Sequence, residues 1–443
     1  MDVPRVSVLL QAGRVLSSLT VDSHGGPLRG VIAVPGDKSI SHRALLIAAL
    51  AQGASRITGL SSGLDVAATR RALEAFGVAV EPAGARGAWS VGGGSRREAQ
   101  TVIDVGNSGT SIRLLSGWSA SLDALTVLVG DASIAKRPMG RVVEPLRAMG
   151  AKLDGRSHAT LPPVVVRGGD LHGIDYDVPV PSAQVKGAVL LAGLRAEGET
   201  TVREAQATRV HTEEMLPLWG GDVTVTLGSV TVRPSRLHAC DFHVPGDPSQ
   251  AAFWVVAACV TPGSDLTVGK VYLGPGRAGF VDVLRRMGAQ VEIVDYDPVS
   301  AVGDLHASYG PLQATTVGGE EVPSLIDEIP ALAVAAAVAS GTTTFADAAE
   351  LRHKESDRVS STVGALRSVG FQADPRPDGL VVEGSGGRPA RGGTVDSAGD
   401  HRVAMSMAVA ALAASEPVRI QGWECVQTSY PSFEEDMARC RQR

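Results

Sequence analysis

From Val34 onward the chain alternates between two kinds of helix-compatible segment. One is apolar on every side, as in ALLIAALA (Ala44–Ala51), and predicts a helix enclosed by protein rather than lying on a surface. The other is amphipathic, as in LDVAATRRALEAF just before Gly77, and predicts an outer helix with one covered face. A short strand, RITGL, separates the two, and a further strand follows Gly77. The lead-in to the first apolar segment, VPGDKSIS, reads as an extended stretch, a Pro-Gly turn and a helix start carrying Lys38, Ser39 and Arg43. Free backbone N–H groups beside two cations and a hydroxyl can seat a phosphate or carboxylate. The bland alternative is an ordinary capped core helix.

The same order of segments recurs. Apolar helices are predicted again in VGNSGTSIRLLSGWSAS (Val105–Ser121), VPVPSAQVKGAVLLAGL (Val178–Leu194), VPGDPSQAAFWVVAACV (Val244–Val260), PSLIDEIPALAVAAAVAS (Pro323–Ser340) and SAGDHRVAMSMAVAALAA (Ser397–Ala414). Each is followed by a short strand and an amphipathic segment, at intervals of roughly 65 to 80 residues, so each repeat is a full supersecondary unit. Six repeats in a chain too long for one ordinary core predict an α/β protein of two domains with three repeats each. The two VPGD turns mark the changes of domain. Repeats one to three then form an inserted domain, 35–245, and repeats four to six join the N-terminal tail in the other, 1–34 with 246–443. Residues up to about His24 read as a surface or disordered extension, because Arg14 interrupts the mildly apolar run and no small-residue cleavage site is evident.

Composition narrows the function. The 443 residues carry a formal net charge of -6, so no global basic field exists to hold nucleic acid or an anionic membrane, and any anion site must be local. Cys240, Cys259, Cys425 and Cys440 lack metal-ligand spacing and read as reduced, mostly buried thiols of a cytoplasmic protein. No metal or organic cofactor is implied.

The polar groups concentrate at the helix starts. Lys38, Ser39 and Arg43 are joined by Asn107, Gly109 and Arg113; by Ser182, Gln184 and Lys186; by Asp327 and Glu328; and by Asp400, His401 and Arg402. Turns before the amphipathic helices add Arg137, Arg209 and KESDR, Lys354–Arg358. Corresponding ends of repeats lie on one side of a domain, so these groups should converge where the two domains face each other. Many cations with a few carboxylates suit polyanionic substrates and proton transfer. Taken singly, each has a plainer reading: Asp327 and Glu328 as helix caps before Pro330, KESDR as a solvated helix start, His401 as the neighbour of a cap. GPGRAG, Gly274–Gly279, matches GxGxxG, but it fills a slot that other repeats fill with unrelated turns and is read as a linker.

PGDKSISHRALL, GNSGTSIRLL, KRPMGRV, PSAQVKGAVLLAGL, IDEIPALAVAAA, LRHKESDR and GDHRVAM, in that order from about Pro27 onward, resemble the motifs of the enolpyruvyl transferases that act on shikimate 3-phosphate. The resemblance implies two domains of threefold βαβαββ units, with buried parallel helices surrounded by mixed sheets, closing over the substrates. It implies transfer of the enolpyruvyl group of phosphoenolpyruvate to the 5-hydroxyl of shikimate 3-phosphate, with release of phosphate and without a cofactor or metal. By motif, Lys38, Ser39, Arg43, Ser182, Ala183, Gln184, Asp327 and Lys354 would hold shikimate 3-phosphate, with Arg209 reaching its phosphate. Phosphoenolpyruvate would lie against Lys38, Gly109, Arg137, Gln184, Arg358 and Arg402, with Asn107 nearby. Asp327 resembles the carboxylate that takes the 5-hydroxyl proton, Glu355 the acid that protonates the methylene carbon, and Lys38 a stabiliser of charge on the leaving group.

Two features depart from or qualify the pattern. QTSYP, Gln427–Pro431, lacks the lysine often found before the final segment, and Gly109 leaves room beside phosphoenolpyruvate for the inhibitor glyphosate. The nearest rival is the sibling transferase for UDP-N-acetylglucosamine, whose lysine is followed by Asn and which carries a cysteine before its Arg-Pro motif; here Ser39 follows Lys38 and Asp131–Pro138 has no cysteine. A non-catalytic repeat protein is the rival of another class. The expected partners are the two small substrates alone, with no nucleic acid or membrane, and the expected state is a monomer.

Overall fold

The computed structural model describes residues 7–11, 14–22, 26–84, 87–94 and 96–441. Each repeat pairs an enclosed helix with an outer one. In the first, α1 (Lys38–Leu50) is buried from Ile40 to Ala49, and α2 (Leu64–Ala75) exposes its charged face. The pairs that follow are α3 (Gly109–Ala120) with α4 (Gly140–Ala148), α5 (Ala183–Gly193) with α6 (His211–Met215), and α7 (Pro248–Val260) with α8 (Gly279–Arg286). The last two are α9 (Ile329–Val338) with α10 (Arg358–Ser368) and α11 (His401–Leu412) with α12 (Phe433–Arg441). The outer helix of the third repeat is short, since the segment around Pro217 tightens into a 3-10 turn, Leu216–Trp219.

Among the described residues, six four-stranded sheets accompany these helices. The second repeat shows the pattern: Ile103–Asp104 runs parallel to Leu125–Val129 across α3, and Val164–Arg167 and then Lys152–Gly155 add antiparallel. The order is βαβαββ. Three sheets take strands from elsewhere in the chain. Phe242–His243 supplies the first strand of the first repeat, and Arg29–Ala33 that of the fourth. The sixth repeat is completed by the N-terminus: Arg14–Val21 pairs antiparallel with Val418–Gln421, and Ser7–Gln11 pairs with it in turn. The N-terminal stretch is therefore not a surface extension. Leu19 and Val21 are buried in the core, because the last sheet has no other strand to cover that edge. His24 lies outside the described residues.

The chain divides into two compact units, Met1–Pro35 with Pro245–Arg443, and Gly36–Val244. At both crossings the chain leaves a strand of one unit to begin a buried helix of the other, which is why VPGD occurs twice. Its Asp is the cap in each case: Asp37 Oδ1 accepts from the Ile40 N–H at 2.8 Å, and Asp247 Oδ1 from that of Ser249 at 2.8 Å. Its glycine is required at the first crossing, where a Cβ on Gly36 would stand 1.8 Å from the Gly59 carbonyl oxygen.

Small residues let the enclosed helices approach closely. A Cβ on Gly117 of α3 would lie 2.0 Å from the backbone oxygen of Ala188 in α5, with no flexible side chain to give way. Gly117→Ala is expected to lower unfolding free energy by about 2 kcal/mol, near the upper part of the overpacking range less the helix-propensity gain. Gly364→Ala in α10, where nothing lies within 4 Å of the added carbon, should gain about 0.5–1 kcal/mol. Urea unfolding of both variants checks this, and equal midpoints would contradict it.

Candidate active site

In the unit Gly36–Val244, the starts of α1, α3 and α5 are tied together by the side chains that the motifs single out. Arg43 is 2 % exposed, and its guanidinium donates to the Thr212 hydroxyl at 2.7 Å, the Ser39 carbonyl at 3.1 Å and the Ala183 carbonyl at 3.0 Å. It thus fixes α1 against the start of α5. Gln184 bridges α5 to α3: its Oε1 accepts from Arg113 Nη1 at 2.6 Å and its Nε2 donates to the Thr110 hydroxyl at 2.9 Å. Arg113 also donates to the Pro138 carbonyl at 3.2 Å, which ties this cluster to the segment that carries Arg137, itself buried. Lys38 donates to Asp65 Oδ2 at 2.8 Å. Ser182 and Ser108 cap α5 and α3, so Asn107 and Gly109 flank a helix start with its N–H groups directed outward. Arg209 lies half-buried ahead of α6.

One cation is placed differently from expectation. Lys186 is 2 % exposed and held between Glu204 and Glu213, each at 2.7 Å, so its charge is spent inside the fold. A sequence cannot distinguish a cation neutralised by distant carboxylates from one awaiting an anion.

The second unit gathers its own set around Arg358. This guanidinium, the first residue of α10, donates to Asp400 Oδ2 at 2.8 Å, Asp327 Oδ1 at 3.1 Å and Glu355 Oε2 at 2.5 Å. Lys354 Nζ adds a second contact to Asp327 Oδ1 at 3.0 Å. Arg402 donates to the Asp327 carbonyl at 3.0 Å and stands 3.7 Å from Glu328. The plainer readings do not hold here. Neither Asp327 nor Glu328 caps α9 with its side chain, and Arg358, far from solvated, is 1 % exposed. His401 follows the cap Asp400, whose Oδ1 accepts from the Arg402 N–H, and it is buried. Burial opposes ionisation of Asp400, yet the Arg358 guanidinium beside it holds its pKa below the ordinary carboxylate value. Burial likewise opposes charge on Arg358, but Asp400, Glu355 and Asp327 together raise its pKa. Gln427 is exposed at the end of a 3-10 turn, Trp423–Thr428.

Three residues of this machinery escape the motif reading. Thr212 and Thr110 are ordinary threonines until the helices meet. Arg277, within GPGRAG, is 2 % exposed and donates to Asp247 Oδ1 at 2.9 Å, so that segment is more than a linker. The recurrence of an arginine before the outer helix in other repeats was its only signal.

Behind Lys38 and Arg43, a buried chain runs from His42 Nδ1 to the Thr69 hydroxyl at 2.7 Å, on to Ser111 at 2.8 Å and to Ser108 at 2.7 Å. Burial, then Lys38 and Arg43, push the His42 pKa well below 6.5. A depressed histidine binds its proton more readily unfolded, so its stabilising contribution is complete above about pH 6.5 and is lost as pH falls below it. Between pH 7.5 and 5.5 this should remove about 1 kcal/mol. His42→Asn, which can still bond Thr69, should flatten that slope in thermal unfolding; identical slopes would contradict it.

The family model described as EPSP synthase (3-phosphoshikimate 1-carboxyvinyltransferase) matches residues 23–437. A 3-phosphoshikimate 1-carboxyvinyltransferase of Synechococcus sp. (strain WH7803) is 46% identical over 427 residues, covering 94% of this chain and 97% of that protein. One of Halorhodospira halophila is 48% identical over 421 residues, 94% of each. The structure of EPSP synthase from Acinetobacter baumannii is similar with a TM-score of 0.85 at 39% identity, covering 96% of this chain and 98% of that one. The enolpyruvyl transferase NikO from Streptomyces tendae shares the fold at 19% identity, with a TM-score of 0.78 and coverage of 96% and 97%. With these relatives matched along nearly their whole length, the chain belongs to the EPSP synthase family, the 3-phosphoshikimate 1-carboxyvinyltransferases.

Proposed function

We infer that the two clusters serve one reaction, the transfer of the enolpyruvyl group from phosphoenolpyruvate to the 5-hydroxyl of shikimate 3-phosphate with release of phosphate. The observation that carries this reading is Asp327, a carboxylate flanked by Lys354 and Arg358 at a helix start, within reach of Glu355 through the same guanidinium. In the reading, Lys38, Ser39, Arg43, Ser182, Ala183, Gln184, Asp327, Lys354 and Arg209 hold shikimate 3-phosphate. Lys38, Asn107, Gly109, Arg137, Gln184, Arg358 and Arg402 hold phosphoenolpyruvate. Guanidinium forks suit both substrates, since each bears a phosphate and a carboxylate.

Asp327 takes the 5-hydroxyl proton as that oxygen attacks C2 of phosphoenolpyruvate, and Glu355 gives a proton to the methylene carbon. The product of addition is tetrahedral. In the second step the methyl group returns a proton to Glu355, the C–O bond to phosphate breaks, and Asp327 protonates the departing phosphate. Lys38 and the arginines stabilise its charge. The reading extends to small molecules alone, supported over nucleic acid by the acidic net charge; among the described residues no helix is long and apolar enough to cross a membrane.

Phosphate release from phosphoenolpyruvate, measured with shikimate 3-phosphate and separately with UDP-N-acetylglucosamine as acceptor, tests the reading. Release with the first alone is expected; release with the second would overturn it. Gly109 adds a further outcome. A Cβ there would meet only Arg113 Nη1, at 3.5 Å, so the glycine keeps space open rather than relieving a clash. Glyphosate should therefore enter and inhibit, and full activity at millimolar glyphosate would contradict this.

A further inference from the structure

We propose that Arg277 is a positioning residue for the phosphoenolpyruvate end of the reaction. It acts on Arg402 through Ser249 and Glu328, and the proposal rests on the assignment of Arg402 to phosphoenolpyruvate. The three enclosed helices of its unit each begin at a buried carboxylate: Asp247 at α7, Glu328 at α9 and Asp400 at α11. Each has an arginine beside it. Arg358 serves Asp400, Arg402 stands by Glu328, and Arg277 donates to Asp247. From Arg277 the contacts continue. The Nη2 that meets Asp247 lies 3.4 Å from the Ser249 hydroxyl, that hydroxyl donates to Glu328 Oε1, and the same oxygen faces Arg402 Nη1 at 3.7 Å.

The gain in stability from this arrangement is opposed by two effects. A cation beside a helix N-terminus is opposed by the helix dipole, and burying it is opposed by desolvation. Buried ion pairs exchanged for apolar groups of equal volume are often neutral or stabilising, so the pair by itself is weak evidence of a purely structural role. The repeats supply an independent argument. The turn between the second strand and the outer helix delivers Arg137 in repeat two and Arg209 in repeat three, the helix start itself delivers Arg358 in repeat five, and Arg277 occupies the turn in repeat four. Arg277 is 2 % exposed, and in the proposal its effect is assigned to the groups it touches, Asp247 and Ser249. Those groups set where the Glu328 carboxylate sits, and Glu328 in turn fixes the arginine that grips the substrate.

Steady-state kinetics on the full chain test this with four variants. Arg277→Gln should raise KM for phosphoenolpyruvate about tenfold while leaving KM for shikimate 3-phosphate within about twofold, and Arg277→Lys should recover part of the loss. Ser249→Ala, which cuts the relay without removing a buried charge, should shift the same KM in the same direction and covers the case in which Arg277→Gln does not fold. Arg402→Gln is the reference. If it leaves KM for phosphoenolpyruvate unchanged, the site assignment fails and the proposal with it. If it raises that KM but Ser249→Ala and the Arg277 variants do not, or if both substrates are affected equally, the coupling through Arg277 is overturned while the site assignment stands.

Discussion

Asp327→Asn should lower turnover by about 10²- to 10⁴-fold, the usual worth of one positioned proton acceptor, while KM for either substrate changes by less than about threefold. The asparagine is chosen over alanine because of what surrounds the carboxylate. Its Oδ1 accepts from both Lys354 and Arg358, and an amide oxygen can still receive those hydrogen bonds, so the two cations keep their places. What disappears is the capacity to take a proton. Glu355→Gln should act in the same direction, for it sits on the same guanidinium. Arg43→Ala should chiefly weaken the shikimate 3-phosphate complex, but it also abandons three acceptors, the buried Thr212 hydroxyl and the part-buried Ser39 and Ala183 carbonyls. Its effect on binding must therefore be read on protein shown to be folded. Single-turnover phosphate release checks the set, and equal losses of turnover and affinity in all three variants would argue against the roles given to them.

How far the chain could be read in advance follows from which interactions are local. The six enclosed helices were legible because a helix apolar on all sides has one environment open to it, and the recurrence of that pattern gave the repeat. The caps Asp37 and Asp247 follow from four adjacent residues. Strand pairing is another matter: Arg29–Ala33 pairs with Asp265–Gly269 and Arg14–Val21 with Val418–Gln421, and no local propensity specifies partners that far away. The N-terminal strand reads as an extension for that reason, since its burial follows only from the sheet it completes. The site divides along the same line. Lys38, Arg358 and Asp327 are marked by position at helix starts, whereas Lys186, equally well placed in sequence, is neutralised by carboxylates from two other segments. Arg277 was hidden in a loop whose glycines read as connection only.

Arg358 is where the stability of this architecture meets its chemistry, and Arg358→Met should cost about 3–5 kcal/mol of unfolding free energy, the range for removing one partner of a buried ion pair. The reason for so large a value is the number of groups left behind. Asp400 is 0 % exposed, and Asp327 and Glu355 are mostly enclosed, at 13% and 20%. Methionine fills the volume and satisfies none of them. Arg358→Lys should recover only part, because one ammonium cannot present the planar fork that reaches three carboxylates at once. The pH dependence separates this cause from a packing defect. In the native protein the Asp400 pKa is lowered, so its contribution is present above the ordinary carboxylate value and is lost only as pH falls through the lower folded one. Without Arg358 the sign reverses: burial alone raises the folded pKa, the unpaired carboxylate destabilises at neutral pH, and protonation relieves it on acidification. The deficit of Arg358→Met relative to the native chain should therefore shrink between pH 8 and pH 5.5 in urea unfolding. A deficit of the same size at both would mean that the cost does not come from leaving buried carboxylates without the charge of Arg358.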